Sequence, residues 1–366
     1  GEELRRFTER TRTPVFPNGK ARGVLPDDHP LCGRSFAGLA ALSRLGAGST
    51  DLALVFGARL GLFTGGRTGS ILPRDAKVVQ VDVEGEEIGR NRDVDLGIVA
   101  DCRETLRALD TAAAPRAWPE RSEWQAAVDR VKNLHRELFA DALSRSEAPI
   151  HPYHLARALA EAVEPDAILV ADGGETASWL DMVADVRGGG HWLSHGYLGC
   201  LGTGMPFAIA AKIAHPDRQV VCIVGDGSVG LNFAEFDTMV RHRLAIVVVV
   251  NNDKQWGMSL HGQELLYGKD RTVVTALGPT RYDEAAAGFG CHGELVEDPR
   301  QLSAALRRAL ESGRPACVNV MTDPSVIAPA TLAMYGAFKG SARAARKATE
   351  GAGEKVQMPY YGEGDT

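Results

Sequence analysis

The sequence contains no apolar run long enough to span a bilayer, which excludes a transmembrane helix. It has no Cys-x-x-Cys pair and no His–Cys spacing of a metal site. Its six cysteines therefore read as reduced, mostly buried thiols, the expectation for a cytoplasmic protein. Basic residues are not in excess. The 41 Lys and Arg against 47 Asp and Glu leave a formal net charge of -6, which argues against a general nucleic-acid or membrane surface. Internal repeats, a long low-complexity tract and a signal-peptide pattern are also missing. The segment GARLGLFTGGRTG (residues 57–69) lacks G-x-G-x-x-G, which sets aside a dinucleotide-binding dehydrogenase. What remains is a chain of 366 residues, enough for two domains with full cores.

The stretch from Val220 to Met258 organises that chain. An apolar run, Val220 to Val224, is stopped by Gly225-Asp226-Gly227-Ser228. A helical pattern follows, with Leu231, Phe233, Phe236, Met239 and Val240 apolar. A second apolar run, Leu244 to Val250, ends at Asn251-Asn252-Asp253. Strand, glycine turn, helix and strand make one parallel βαβ unit, with two polar clusters at the carboxyl ends of its strands. Ligands of open α/β sheets bind in that crevice. Gly225 and Gly227 let the backbone approach a phosphate, and Asp226 and Asp253 supply hard oxygens of the kind Mg²⁺ takes beside a diphosphate. The competing reading is an ordinary tight turn of a doubly wound domain.

Strand–helix alternation elsewhere predicts an α/β chain of two doubly wound parallel-sheet domains. Residues 1–111 form the first, with a helix at Leu4–Arg10, a strand at Thr13–Phe16, a helical stretch at Ser35–Leu45 and strands at Leu52–Phe56, Lys77–Val83 and Ile98–Asp101. Residues 112–152 form a linker with one helix over Arg121–Ser146. Residues 153–323 form the second domain, in which a strand at Ala167–Ala171 runs into the polar turn Asp172-Gly173-Gly174-Glu175-Thr176. Residues 324–366 form a tail.

GDGS followed by an asparagine pair resembles the diphosphate–magnesium motif of thiamine-diphosphate enzymes. HGYLGCLGTG, ADGGETASWL, WGMSLHGQELLYG, RPACVNV, LALVFGARLGLFTGG, VVQVDVE and LGIVADCRETL extend the resemblance from about residue 8 to about residue 330. They resemble the branch of benzaldehyde lyase and the 2-hydroxyacyl-CoA lyases. The resemblance implies a middle domain, a diphosphate-binding domain and a C-terminal tail or lid. It implies thiamine diphosphate and Mg²⁺ as cofactors, with Asp226, Asp253 and the backbone carbonyl of Gln255 as metal ligands and Asn252 as reserve for the second. The usual family residue at the second position is Asn.

Leu201 falls on the position of the bulky apolar residue that holds the cofactor bent; its other reading is ordinary core. Gly173, Gly174, Thr176 and Ser228 would donate to the diphosphate or else cap helices. Gly199, Gly225, Gly227, Trp256, Gly257 and Met258 would complete the cofactor pocket. His195 would orient a substrate carbonyl or be structural. Glu175 would be a substrate-side acid or an exposed charge at a helix start. Trp256, Met258 and His261 would line the substrate pocket or pack their helix.

Such enzymes also carry an N-terminal pyrimidine-binding domain with an activating glutamate, and this sequence begins inside the middle domain. The resemblance therefore implies either a longer parent protein or a second chain that supplies that domain. It further implies a homodimer or homotetramer. The implied reaction is cleavage of a 2-hydroxyacyl-CoA to a ketone or aldehyde plus formyl-CoA. One alternative is a benzaldehyde-lyase or acetolactate-synthase-like carboligase on free aldehydes or 2-oxo acids. Another is a non-catalytic cofactor-binding partner. The tail reads either as solvated chain or as a lid. In a lid, Lys339, Arg343, Arg346 and Lys347 would meet coenzyme A phosphates, and Met358-Pro359-Tyr360-Tyr361 would close the site. Relatives that bind ADP in the middle domain point to Arg59, Asp82 and the Gly65-Gly66 turn.

Overall fold

The computed structural model describes residues 1–42, 45, 49–61, 64, 65, 69 and 71–336. These form two parallel sheets in an α/β arrangement. The first has three strands in chain order: β1 (Leu52–Phe56), β2 (Lys77–Asp82) and β3 (Leu96–Val99). The second has six: β4 (Ile168–Ala171), β5 (Trp192–Ser194), β6 (Val220–Gly225), β7 (Ile246–Asn252), β8 (His292–Val296) and β9 (Ala316–Met321). Their spatial order is β5-β4-β6-β7-β9-β8, all parallel. Among the described residues, no helix is long and apolar enough to cross a membrane.

The continuous apolar runs of β6 and β7 follow from helices on both faces, which leave no strand side for water. Trp179, Leu155, Leu159 and Leu306 pack on one face, and Phe236, Met239, Met205 and Tyr282 on the other. From β4 the chain steps outward to β5, then returns past β4 to β6 and continues the other way. The carboxyl ends of β4 and β6 therefore flank the point where the winding reverses, the place where an open sheet leaves a crevice.

Several elements depart from the periodicity. Thr13–Phe16 is not a sheet strand; only Val15 bridges, to Cys32. Of the helical stretch Ser35–Leu45, a 3₁₀ turn at Phe36–Gly38 and a short helix at Leu39–Leu42 are described, and part of the remainder lies outside the described residues. The linker helix breaks into Ser122–Leu138 and Ala140–Ser144. The break is at Phe139, whose ring is drawn into the core against Tyr153 (4.9 Å) and Trp179 (5.2 Å). The helical pattern after GDGS also divides, into Asp226–Leu231 and Glu235–Arg241. Asn232, between them, donates its side-chain N–H to the Gly202 carbonyl. Strand β5 has only three residues, too few to show a period of two.

His135 lies in the same aromatic cluster, with Nδ1 at 2.9 Å from the Tyr153 hydroxyl. Burial, with Arg34 next, pushes its pKa down from 6.5 to about 4. The unfolded chain therefore takes up this proton first. The contribution to stability is present above about pH 6.5 and is lost as pH falls from there towards 4. His135→Gln keeps a polar partner for Tyr153 but cannot titrate. In urea unfolding, the variant should gain ~2 kcal/mol on the wild type between neutral pH and about pH 5. An unchanged difference would place the acid sensitivity elsewhere.

Candidate functional site

The turn after β4 and the turn after β6 meet at the reversal of the sheet. Gly173 stands at φ +92° before the helix Gly174–Val183, a conformation that L side chains rarely adopt. A Cβ there would lie 3.2 Å from the Gly225 amide nitrogen, 3.4 Å from Ser228 Oγ and 3.5 Å from Thr176 Cβ. Residues 173, 176, 225 and 228 thus converge on one small space with amides and hydroxyls around it. Asp172, wholly buried, holds the turn in place. Its Oδ1 accepts from Gly173 N (2.6 Å) and its Oδ2 from Gly204 N (2.8 Å). Composition of the motif does not reveal that role, because the residue faces the protein and not the crevice.

Asp226 opens the next turn. Its Oδ1 accepts from Gly227 N (2.9 Å) and its Oδ2 from Gln255 N (3.2 Å). Asp253 comes just after β7 and accepts from Gln255 Nε2 (3.3 Å). Burial, reinforced by the charge of Asp253, pushes the Asp226 carboxyl up. Burial also pushes up Asp253, opposed by the Gln255 bond and reinforced by Glu175. Two buried acids raised in this way fit a divalent cation that would neutralise both. Among the described residues no three His, Cys, Asp or Glu side chains are placed to hold a metal. The two carboxylates thus fit a cation that takes its other oxygens from backbone, phosphate or water, as Mg²⁺ does.

Alternation along β7 decides between the two candidates for the second ligand. Asn252 turns into the sheet, where Nδ2 donates to Asn319 Oδ1 (3.0 Å) and the Thr280 carbonyl (3.3 Å). Asn251, on the opposite side of the strand, reaches Thr176 Oγ1 at 2.9 Å. The reserve ligand Asn252 is thereby engaged away from the crevice, while Asp253 stands beside Asp226.

The loop that follows packs tightly. A Cβ on Gly227 would lie 2.6 Å from the Trp256 ring, and one on Gly174 would lie 2.6 Å from Met258 Sδ. A Cβ on Gly257 would lie 2.6 Å from Asp253 Oδ2. Trp256 and Met258 therefore wall the two turns, and His261 lies one helical turn further on, in the helix Gly257–Tyr267. Glu175 is not the exposed helix charge of the second reading. It is buried with both oxygens 3.0 Å from His261 Nδ1, and His261 Nε2 is 3.0 Å from the Pro324 carbonyl. A carbonyl only accepts, so Nε2 carries a proton. Burial pulls the His261 pKa down, but Glu175, with the Pro324 carbonyl and Asp253, outweighs it and holds the pKa above its ordinary value. Pro324 O also accepts from Gln255 Nε2 (2.9 Å), so the chain leaving β9 ties the loop after β7 to this pair.

His195 and Leu201 lie on a separate loop, after the edge strand β5. His195 Nδ1 faces its neighbour's carbonyl, Gly196 O, at 2.9 Å. Leu201 is 36% exposed, so it is not ordinary core. Gly199 and Gly202 flank it, both at positive φ. In the first domain Arg59 is taken up by Glu87 (3.2 Å) and the Tyr197 ring, and Asp82 accepts from Glu84 N (3.0 Å). Gly65 is in a turn, and Gly66 lies outside the described residues. The tail residues Lys339, Arg343, Arg346, Lys347, Met358, Pro359, Tyr360 and Tyr361 also lie outside them. Before them residues 329–336 are helical, and the Tyr335 ring sits where a Gly262 side chain would be, 2.2 Å from the Cβ position.

Two family profiles match. Residues 1–109 match "Thiamine pyrophosphate enzyme, central domain", and residues 172–320 match "Thiamine pyrophosphate enzyme, C-terminal TPP binding domain". The chain is 39% identical over 330 residues to the acetolactate synthase large subunit IlvG of Mycobacterium tuberculosis, covering 89% of this chain and 57% of that protein. It is 32% identical over 333 residues to a 2-hydroxyacyl-CoA lyase of Arabidopsis thaliana, covering 88% and 57%. It is 30% identical over 329 residues to the acetolactate synthase isozyme 1 large subunit of Escherichia coli, covering 87% and 56%. The chain spans a little more than half the length of these relatives. With the sheet reversal, the glycine turns and the paired carboxylates where they stand, the chain carries the central domain and the C-terminal TPP-binding domain of the thiamine pyrophosphate enzymes.

Proposed function

We propose that this chain is the cofactor-holding part of a thiamine-diphosphate-dependent carboligase of the acetolactate-synthase type, acting on 2-oxo acids or free aldehydes. The observation that carries the reaction class is the 39% identity to an acetolactate synthase large subunit, against 32% to a 2-hydroxyacyl-CoA lyase. The acyl-CoA reading, first in the sequence, takes second place. The relatives favour the carboligase alternative.

When bound, the cofactor's thiazolium supplies an electron sink for charge developing beside a carbonyl carbon. Asp226, Asp253 and the Gln255 carbonyl would hold Mg²⁺, which would supply positive charge to anchor the diphosphate. The Gly173 and Gly174 amides and the Thr176 and Ser228 hydroxyls would face the phosphates, at the positive end of the helix Gly174–Val183. Leu201 would support the bend of the cofactor. The Glu175–His261 pair would hold the start of the helix Gly174–Val183 against the helix Gly257–Tyr267, and His195 would stand at the substrate side. Tyr197, Leu198, Leu201 and Leu231 leave apolar surface exposed near this rim. That surface suits a pyrimidine-binding domain from the same gene product or a second subunit, and hence a homo-oligomer.

The test uses the natural polypeptide that carries this chain, with Mg²⁺ and thiamine diphosphate. Pyruvate should be consumed with acetolactate formed, or free aldehydes joined. Formyl-CoA release from 2-hydroxyacyl-CoAs without carboligation would return the lyase reading to first place. Cofactor binding with turnover of neither substrate class would favour a non-catalytic partner.

A further inference from the structure

Thr176 and Asn251 come from strands that are not neighbours. Thr176 follows β4 and Asn251 is the last residue but one of β7, with β6 between them. They meet over the end of β6 because residue 225 has no side chain; a Cβ there would lie 3.3 Å from Thr176 Oγ1. Both side chains are more than nine-tenths buried, at 5% and 6% exposure. In their one mutual bond Asn251 Nδ2 donates and Thr176 Oγ1 accepts. A helical threonine can offer its proton to a backbone carbonyl three or four residues earlier. Among the described residues, the Thr176 hydroxyl makes no such bond, and its proton has no acceptor. Asn251 Oδ1 is likewise buried without a partner. Buried polar groups are nearly always satisfied, so each calls for a partner that the described residues do not supply.

We propose that Asn251 is a positioning residue for an anionic ligand. By donating to Thr176 Oγ1 it occupies that oxygen as an acceptor and turns the hydroxyl proton towards the diphosphate. The ligand class is a pyrophosphate ester with its divalent cation, and the inference rests on the diphosphate reading of the crevice. On this account the first asparagine of the pair acts on the phosphate through Thr176, while the second acts inside the sheet.

The experiment is isothermal titration of the full chain, in Mg²⁺, with three probes: thiamine diphosphate, inorganic pyrophosphate and thiamine. Thr176→Val removes the hydroxyl and should weaken both phosphate-bearing probes by about tenfold or more, the loss of one hydrogen bond to a charged group. Thr176→Ser should stay close to wild type. Asn251→Leu should weaken the same two probes several-fold when Thr176 is present and produce no further loss in the Thr176→Val background. Thiamine affinity should not move. Equal losses from Asn251→Leu in both backgrounds would show a general structural role and overturn the proposal. So would Thr176→Val with wild-type affinity. Asn251→Thr, suited to a strand end, carries the same comparison if the leucine variant does not fold. A folded wild-type chain that binds neither thiamine diphosphate nor pyrophosphate removes the diphosphate reading, and this proposal with it.

Discussion

Asp226→Ala is expected to weaken Mg²⁺-dependent binding of thiamine diphosphate by at least about 100-fold, since even partners that only orient a metal ligand are worth 10–100-fold. The residue is 2% exposed and stands where the β6 strand ends, with its two oxygens fixed by the Gly227 and Gln255 amides. Asp253→Asn should behave differently. An amide oxygen is still a hard ligand, so affinity should fall only a few-fold. The change also removes one of two buried negative charges, so the apo form should unfold at no lower urea concentration than the wild type. Titration followed by quenching of tryptophan fluorescence, Trp256 being the nearest reporter, measures both variants. Wild-type affinity in Asp226→Ala would discard the metal assignment.

The second large effect concerns Arg22. This residue is 2% exposed and joins the loop before the first sheet to the helix that carries the diphosphate turn. Its guanidinium donates to Asp27 Oδ2 (2.8 Å), Asp181 Oδ1 (2.6 Å) and the carbonyls of Asp181 (2.6 Å) and Ala184 (2.8 Å), and it lies 4.7 Å from the Trp192 ring centroid. Asp27 Oδ2 also accepts from Val186 N (2.8 Å). Arg22→Met keeps the bulk but strands the Asp27 carboxylate, which is 1% exposed. The expected loss is about 3–5 kcal/mol of unfolding free energy, because a buried charge without its partner costs more than the pair contributes. Arg22→Met with Asp27→Leu should recover a large part of it. Urea midpoints for the two variants decide the matter: a double variant as unstable as the single one would mean that packing, and not the charge, is what Arg22 supplies. The helix Gly174–Val183 carries Asp181 at one end and Thr176 at the other, so cofactor binding reports on the same dock.

Much of the second domain was written in local pattern. β6 and β7 are unbroken apolar runs closed by glycine or asparagine, and such runs mark buried parallel strands without reference to any neighbour. The turns Asp172–Thr176 and Gly225–Ser228 were visible for the same reason, as polar clusters at strand ends. Asp226 and Asp253 carried their chemistry in residue type and spacing. The family resemblance added roles for Leu201 and His195 that no local pattern contains.

Tertiary structure decided the rest. The break at Phe139 depends on Tyr153 and Trp179, which approach only after the sheet is built. The same is true of the break at Asn232, which reaches back to Gly202. Whether Asn252 or Asp253 faces the crevice is a matter of strand alternation. It follows once the end of β7 is placed, and a one-residue shift would reverse it. Glu175 read equally well as a surface charge or an acid in the site. Its partner is His261, far along the chain, and the Pro324 carbonyl completes the set. Period and composition describe neighbours along the chain. The charges, donors and acceptors of this crevice come from the ends of separate strands, so only the packed sheet brings them together.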